Sequence, residues 1–235
     1  TNTVPNPGGK AHGLINLASN ITIPHSFILN ANQLWASFDS RETFEKIQHS
    51  SNKFIEEFDY TQLQVSYESY LHSFEWKSEI DKISKAINFP LIIRSNMSCE
   101  DNDEYSQAGL FQSFVVEDIA EFKEKSISIL TQVIDKNIVK NFLSHNMNFK
   151  SFFPSLLIQQ YIEADFGGVY FSRCPASPWR AEAYCEVSEG GVTSITDGDG
   201  QYCSYYLNDQ ASPEHSFIKE IFKVGQQLEQ IRKQP

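Results

Sequence analysis

Apolar residues recur along this chain in two rhythms. Leu14, Leu17 and Ala18 fall at helical spacing and predict a short amphipathic helix facing a core. The same rhythm returns at Phe44, Ile47, Phe54, Ile55 and Phe58, inside a mostly helical stretch from Asn30 to Tyr70. Ile80, Ile83, Ala86 and Ile87 mark one face of a helix over Trp76 to Asn88. The longest helical pattern runs from Asp118 to His145, with Ile119, Phe122, Leu130, Ile134, Ile138, Phe142 and Leu143 on its buried side and Asp118 as its N-cap. Phe217, Ile221, Val224, Leu228 and Ile231 face one way on a last helix over Pro213 to Lys233. Between these lie short runs that read as strands: Ile21 to Leu29, Leu91 to Ile93, Leu156 to Ile162, a strand after the Gly167-Gly168 turn, Ala181 to Val187 and Gln201 to Leu207. Leu110 to Val116 is a further apolar stretch. Helices and strands are thus mixed along the chain.

Composition narrows the function. With 235 residues and 40% apolar content, including 18 Phe and 10 Tyr, the chain can bury a sizeable core as one large domain or two lobes. Nineteen basic against 30 acidic side chains give a formal charge of −11, which argues against a nucleic-acid partner. It leaves room for a small polyanion, which needs only a few placed cations. No stretch approaches the ~20 apolar residues of a membrane span, so no membrane partner is expected. Cys99, Cys174, Cys185 and Cys203 have no metal spacing; reduced thiols and a cytoplasmic home are expected. Asn20-Ile21-Thr22 and Asn96-Met97-Ser98 then match the glycosylation sequon by chance.

Two cations stand where phosphate chemistry places them. Arg94 ends the run Pro90-Leu91-Ile92-Ile93 and opens a polar loop, Ser95 to Gln107. Its guanidinium offers a planar fork of donors that matches phosphate oxygens, and loop N–H groups can add to it. Lys10 follows Gly8-Gly9 at the start of the first helix. Glycine lets backbone approach a ligand, and a helix N-terminus favours anions. On pattern alone each reads as a solvated or structural cation.

Three ordered stretches supply the context. Arg94-Ser95-Asn96, then Glu100-Asp101, then Ser106-Gln107-Ala108-Gly109 resemble the signature RSS, three residues, ED, a few residues, S-x-A-G, of the ATP-binding domain of phosphoenolpyruvate synthases and pyruvate phosphate dikinases. Gly8 to Leu29 resembles the family's GGK opening. Leu156 to Pro175 resembles its hinge and GV-x-FT-x-x-P region, with Ser172 at a common Thr position. His25-Ser26 stand where the family usually has Pro-Gly. Gly190 to Thr193 and Thr196 to Gly198 replace a GLGE-type stretch, closer to kinases with other acceptors, such as the glutamine kinases of capsule biosynthesis.

The resemblance implies an α+β, ATP-grasp-like fold, with the nucleotide between two lobes: 1–150 and an incomplete 151–235. It implies ATP as ligand, with Lys10 and Arg94 clamping the phosphates in catalytic roles and Ser113 assisting. Gln159, Tyr161, Ile162 and Glu163 would hold the adenosine, Tyr161 and Ile162 through a main-chain pair. Glu100 and Asp101 shape the loop. The magnesium-binding acidic residues are expected beyond this chain, and none of the six histidines matches the family's phosphorylated one. The chain is therefore expected to be the ATP-binding module of a multidomain phosphotransferase, inactive alone. Phosphohistidine and acceptor domains of the same polypeptide would be its partners, and pyruvate or another small molecule the acceptor. The alternatives are a glutamine-kinase-like enzyme and a non-catalytic nucleotide-sensing module.

Overall fold

The computed structural model describes residues 8–98, 110–149, 152–174, 182–189, 202–206 and 217–232. The signature residues Glu100, Asp101, Ser106, Gln107, Ala108 and Gly109, and the stretch 190–200, lie outside the described residues. The chain divides into two compact units, Thr1–Tyr161 and Ile162–Pro235.

In the first unit, helix α1 (Gly9–Leu17) precedes strand β1 (Ser26–Asn30). Helices α2 (Asn32–Ala36), α3 (Arg41–Ile47), α4 (Asn52–Glu57), α5 (Tyr60–Ser73) and α6 (Lys77–Ala86) follow. Strands β2 (Leu91–Ser95) and β3 (Ser113–Val116) come next. Helix α7 (Ile119–Thr131), a 3-10 turn (Gln132–Ile134), helix α8 (Lys136–Ser144) and strand β4 (Ser155–Gln160) complete the unit. The four strands form an antiparallel sheet in the order β1-β4-β2-β3. The sequence reading opens the second lobe with β4. In the structure β4 bonds to β1 on one side and β2 on the other, so the division falls after it.

One sheet face carries the main core. Leu29, Leu91, Ile93, Val116, Leu156 and Ile158 point into it, against a helical layer that includes Trp35, Phe44, Tyr67, Phe122 and Phe142. Trp35 meets Phe44, Tyr67 and Phe152 edge-on at 5.1–5.7 Å between ring centroids, the geometry that ring quadrupoles favour.

Local chemistry sets the helix ends. Asp118 Oδ1 accepts from the N–H groups of Ala120 and Glu121, capping α7 as its sequence position predicts. The single helix expected from 118 to 145 is two helices. Asp135 is extended and caps α8, accepting from Asn137 and Ile138; a side chain that captures those donors restarts a helix. Ile119, expected inside, is 47% exposed, being the first residue of α7, before the turn that packs. Phe54 is likewise exposed, because the six-residue α4 turns only Ile55 inward. On α6, Ile83 is buried and Ala86 exposed, and Ile87, just past the helix end, is buried. On α1 the buried residue is Ala11; Leu14 and Leu17 are half-buried and Ala18 exposed.

The second unit has the antiparallel sheet β5 (Phe166–Phe171), β6 (Tyr184–Glu189) and β7 (Cys203–Tyr206), in that order, and helix α9 (Phe217–Arg232). Its core joins Ala183, Cys185 and Val187 to Ile218 and Phe222. Burial pushes the Cys185 thiol up to about 11. Helix and strand approach closely at Gly225, where a Cβ would lie 2.3–2.5 Å from the Tyr170 ring. The Tyr170 hydroxyl donates to Glu229 one helical turn on, at 2.7 Å. The chain is thus mixed, with helices and antiparallel sheet in both units, and no helix among the described residues is long and apolar enough to cross a membrane.

Candidate functional site

Several polar residues of the first unit meet at the end of β2. Burial alternates along the strand: Leu91, Ile93 and Ser95 are buried, Ile92 and Arg94 half-buried. Arg94 therefore leaves the sheet on the face away from the core. Register sets Arg94 opposite Ser113 on β3 and Leu157 on β4, and sets the neighbouring Ile92 opposite Gln159. Residues opposite or two apart share a face, so Arg94, Ser113 and Gln159 stand on one side of the sheet. Among the described residues no carboxylate pairs with Arg94.

Lys10 reaches the same strand end from α1. Its Nζ donates to Ser95 Oγ at 3.0 Å, one residue beyond Arg94 and on the other face by alternation. The two cations expected to clamp phosphate are thus brought to successive residues of one strand end. A single ligand that touches both must lie across that end.

The next residue, Asn96, is fully buried. Its Oδ1 accepts from the Ala11 N–H at 2.9 Å, its Nδ2 donates to Ser155 Oγ at 2.9 Å, and its own N–H donates to the Ser155 carbonyl at 3.0 Å. The Ser155 hydroxyl donates back to the Asn96 carbonyl. Ser155 Oγ must therefore accept from Asn96, which fixes which way the amide points. Gly8 lies directly against this group. Its φ is 86°, a region L side chains rarely adopt, and a Cβ there would lie 2.5 Å from Asn96 Nδ2 and from its carbonyl oxygen. Ser98 extends the pairing, its N–H donating to Phe153 O and its Oγ accepting from Phe153 N–H.

The segment expected to hold a base starts in β4. Gln159 is 5% exposed. Its Nε2 donates to Ser26 Oγ at 3.0 Å, and the Ser26 hydroxyl donates to Pro24 O at 2.7 Å. Ser26, where the resembling family usually has Gly, thus steadies the amide of Gln159. The Pro90 carbonyl accepts from both Tyr161 N–H and Gln160 Nε2, each at 3.1 Å. Tyr161's N–H is spent within the fold, so the donor of any main-chain pair for a base falls to Ile162. Ile162 is 59% exposed and Glu163 exposed; both fall in the second unit.

The pairing of Asn96, a residue of the signature, with Ser155 is not visible in the sequence. The available signal was the second hydroxyl position of the RSS-like signature, held here by an amide. Among the described residues no three His, Cys, Asp or Glu side chains gather into a group that could hold a metal ion. No residue here is assigned to a metal ion.

The family model described as pyruvate phosphate dikinase, AMP/ATP-binding domain, matches residues 4–223. No curated protein matches the chain significantly.

Proposed function

The chain belongs to the AMP/ATP-binding domain family of pyruvate phosphate dikinase, and on that premise we propose that it binds ATP across the end of β2. Lys10 and Arg94 take the phosphates and Ser113, directly opposite Arg94, adds a hydroxyl. Gln159 and the segment Tyr161, Ile162 and Glu163 take the adenosine. The observation that carries this reading is the delivery of two cations to adjacent residues of one strand end, Arg94 by register and Lys10 by its bond to Ser95. A polyphosphate is a ligand class that two cations at one strand end can hold.

The two units correspond in this reading to the lobes of an ATP-grasp module within a larger phosphotransferase. A magnesium ion would accompany ATP and supply charge neutralisation at its phosphates. This chain's residues bind and orient the nucleotide. The phosphoryl group would pass to a histidine on another domain of the same polypeptide, then to pyruvate or another small acceptor.

Calorimetric titration with ATP and magnesium, with GTP as control, tests the reading. Arg94→Ala and Lys10→Ala should each weaken ATP binding by about 1.5–3 kcal/mol, the usual contribution of a hydrogen bond to a charged group. That is roughly a 10- to 150-fold rise in Kd. Variants that bind ATP as tightly as the parent would sink the clamp.

A further inference from the structure

We infer that Asn96 is the positioning residue of the proposed phosphate clamp, acting through Lys10; this rests on the ATP-binding reading above. The argument starts from a conflict at the start of α1. A helix leaves its first N–H groups without internal acceptors, and the N-cap side chain ordinarily accepts from one of the second or third residues. Here the N-cap is Gly8, which has no side chain to do so. Nor can it acquire one, since both its φ of 86° and its contact with Asn96 exclude a Cβ.

Asn96 supplies the missing cap from 85 residues away. Its Oδ1 accepts from Ala11 N–H, the third residue of α1 and the neighbour of Lys10. The amide's other end is held by Ser155 on β4, the strand beside β2. A backbone bond from the Asn96 N–H to the Ser155 carbonyl holds the acceptor itself in place. The first turn of α1 is thereby fixed to two strands of the sheet through one buried side chain. Lys10 sits inside that turn and Arg94 two residues before the cap, so Asn96 sets where one cation stands relative to the other. Serine, the residue at this place in the signature the chain resembles, is one bond shorter and carries no amide donor. It cannot bridge Ala11 and Ser155 in the same way.

A double-mutant cycle tests this. Asn96→Ala, Asn96→Ser, Lys10→Ala and the combined variants are titrated with ATP–magnesium and, separately, with adenosine. Each protein's unfolding midpoint is recorded first, and titrations run well below the lowest one. Asn96→Ser serves if Asn96→Ala fails to fold. The expected result is about a 10-fold loss of ATP affinity on changing Asn96, the order of one misplaced charged contact. Adenosine binding should be unchanged, and no further loss should appear when Asn96 is changed in the Lys10→Ala background. Equal losses for ATP and adenosine, or the same loss with and without Lys10, overturn the inference, because Asn96 would then act on the fold at large. If Lys10→Ala itself binds ATP like the parent, the clamp reading fails and takes this inference with it. If Lys10→Ala loses affinity while the Asn96 variants do not, only this inference falls.

Discussion

The two units are held together differently. The first is built on burial of large rings: Trp35, Phe44, Tyr67, Phe122, Phe142 and Phe149 are all at most 1% exposed. The second, in its described residues, buries smaller groups, Ala183, Cys185 and Val187 on and just before β6 and Ile218 and Phe222 from one helix. Its specificity comes from a close approach, with the Tyr170 ring seated over Gly225 and its hydroxyl tied to Glu229. A large aromatic core draws its stability from area removed from water. A small core depends on the fit of a few contacts. Hydrogen exchange should therefore protect the amides of β2 and β4 longer than those of β5 to β7.

The largest expected effect separates the units most clearly. Phe44→Ala leaves a cavity against Trp35, Phe149 and Phe152 and should cost about 3–5 kcal/mol in denaturant unfolding. The loss should show in exchange from the first unit.

Gly225→Ala probes the fit of the second unit. In an ordinary helix this change stabilises by about 0.8–1 kcal/mol. Here the new methyl meets the Tyr170 ring, which cannot shift without straining its bond to Glu229. The clash should outweigh propensity and destabilise by about 1–3 kcal/mol. With Tyr170→Ala already present, the sign should reverse. Stabilisation in both backgrounds would show that the close approach is not what holds helix to sheet.

Tyr67→Phe goes the other way. The hydroxyl is buried and has no partner among the described residues, and burial pushes its pKa up. Removing it should be neutral or stabilise the first unit by up to about 1 kcal/mol, read from the urea midpoint.

The smallest effect lies on the surface of the first unit. Glu56 accepts from Lys140 and Lys136, at 2.6 and 2.9 Å, and those contacts hold its carboxyl down to about 2 from an ordinary 4.5. A depressed carboxyl stabilises the fold above its unfolded pKa and loses that contribution as pH falls through the folded one. Glu56→Gln should thus weaken the protein slightly at neutral pH and not at all once the pH is well below 2. Because the pair is solvent-exposed, added salt should shrink the difference. A difference that persists well below pH 2 would mean packing, and not charge, is responsible.

Much of the fold was legible because it is written locally. Asp118 stands where a cap should, and the structure caps α7 with it. The apolar run from Leu156 reads as a strand, and it is one. What that strand pairs with is not local. Its place between β1 and β2 is decided by segments about 60 and 130 residues earlier, which is why the first unit extends past residue 150. The break at Asp135 was hidden because the apolar rhythm runs on through Ile134 and Ile138 while one carboxylate restarts the helix. At the site, Arg94 and Lys10 were visible as cations in a motif. Asn96 stands in the same motif, but its role was not visible, since its work is a bond to a residue 85 positions away.

The central place of β4 decides where the gene can be divided. A cut at 150 would strip out the strand that joins β1 to β2, leaving β1 with no neighbour in its sheet. A cut after Tyr161 leaves all four strands, every residue of the large core and the Pro90 carbonyl with both its donors on one piece. Co-expressed halves split there begin with an intact first unit, whereas halves split eleven residues earlier must rebuild one sheet from two molecules.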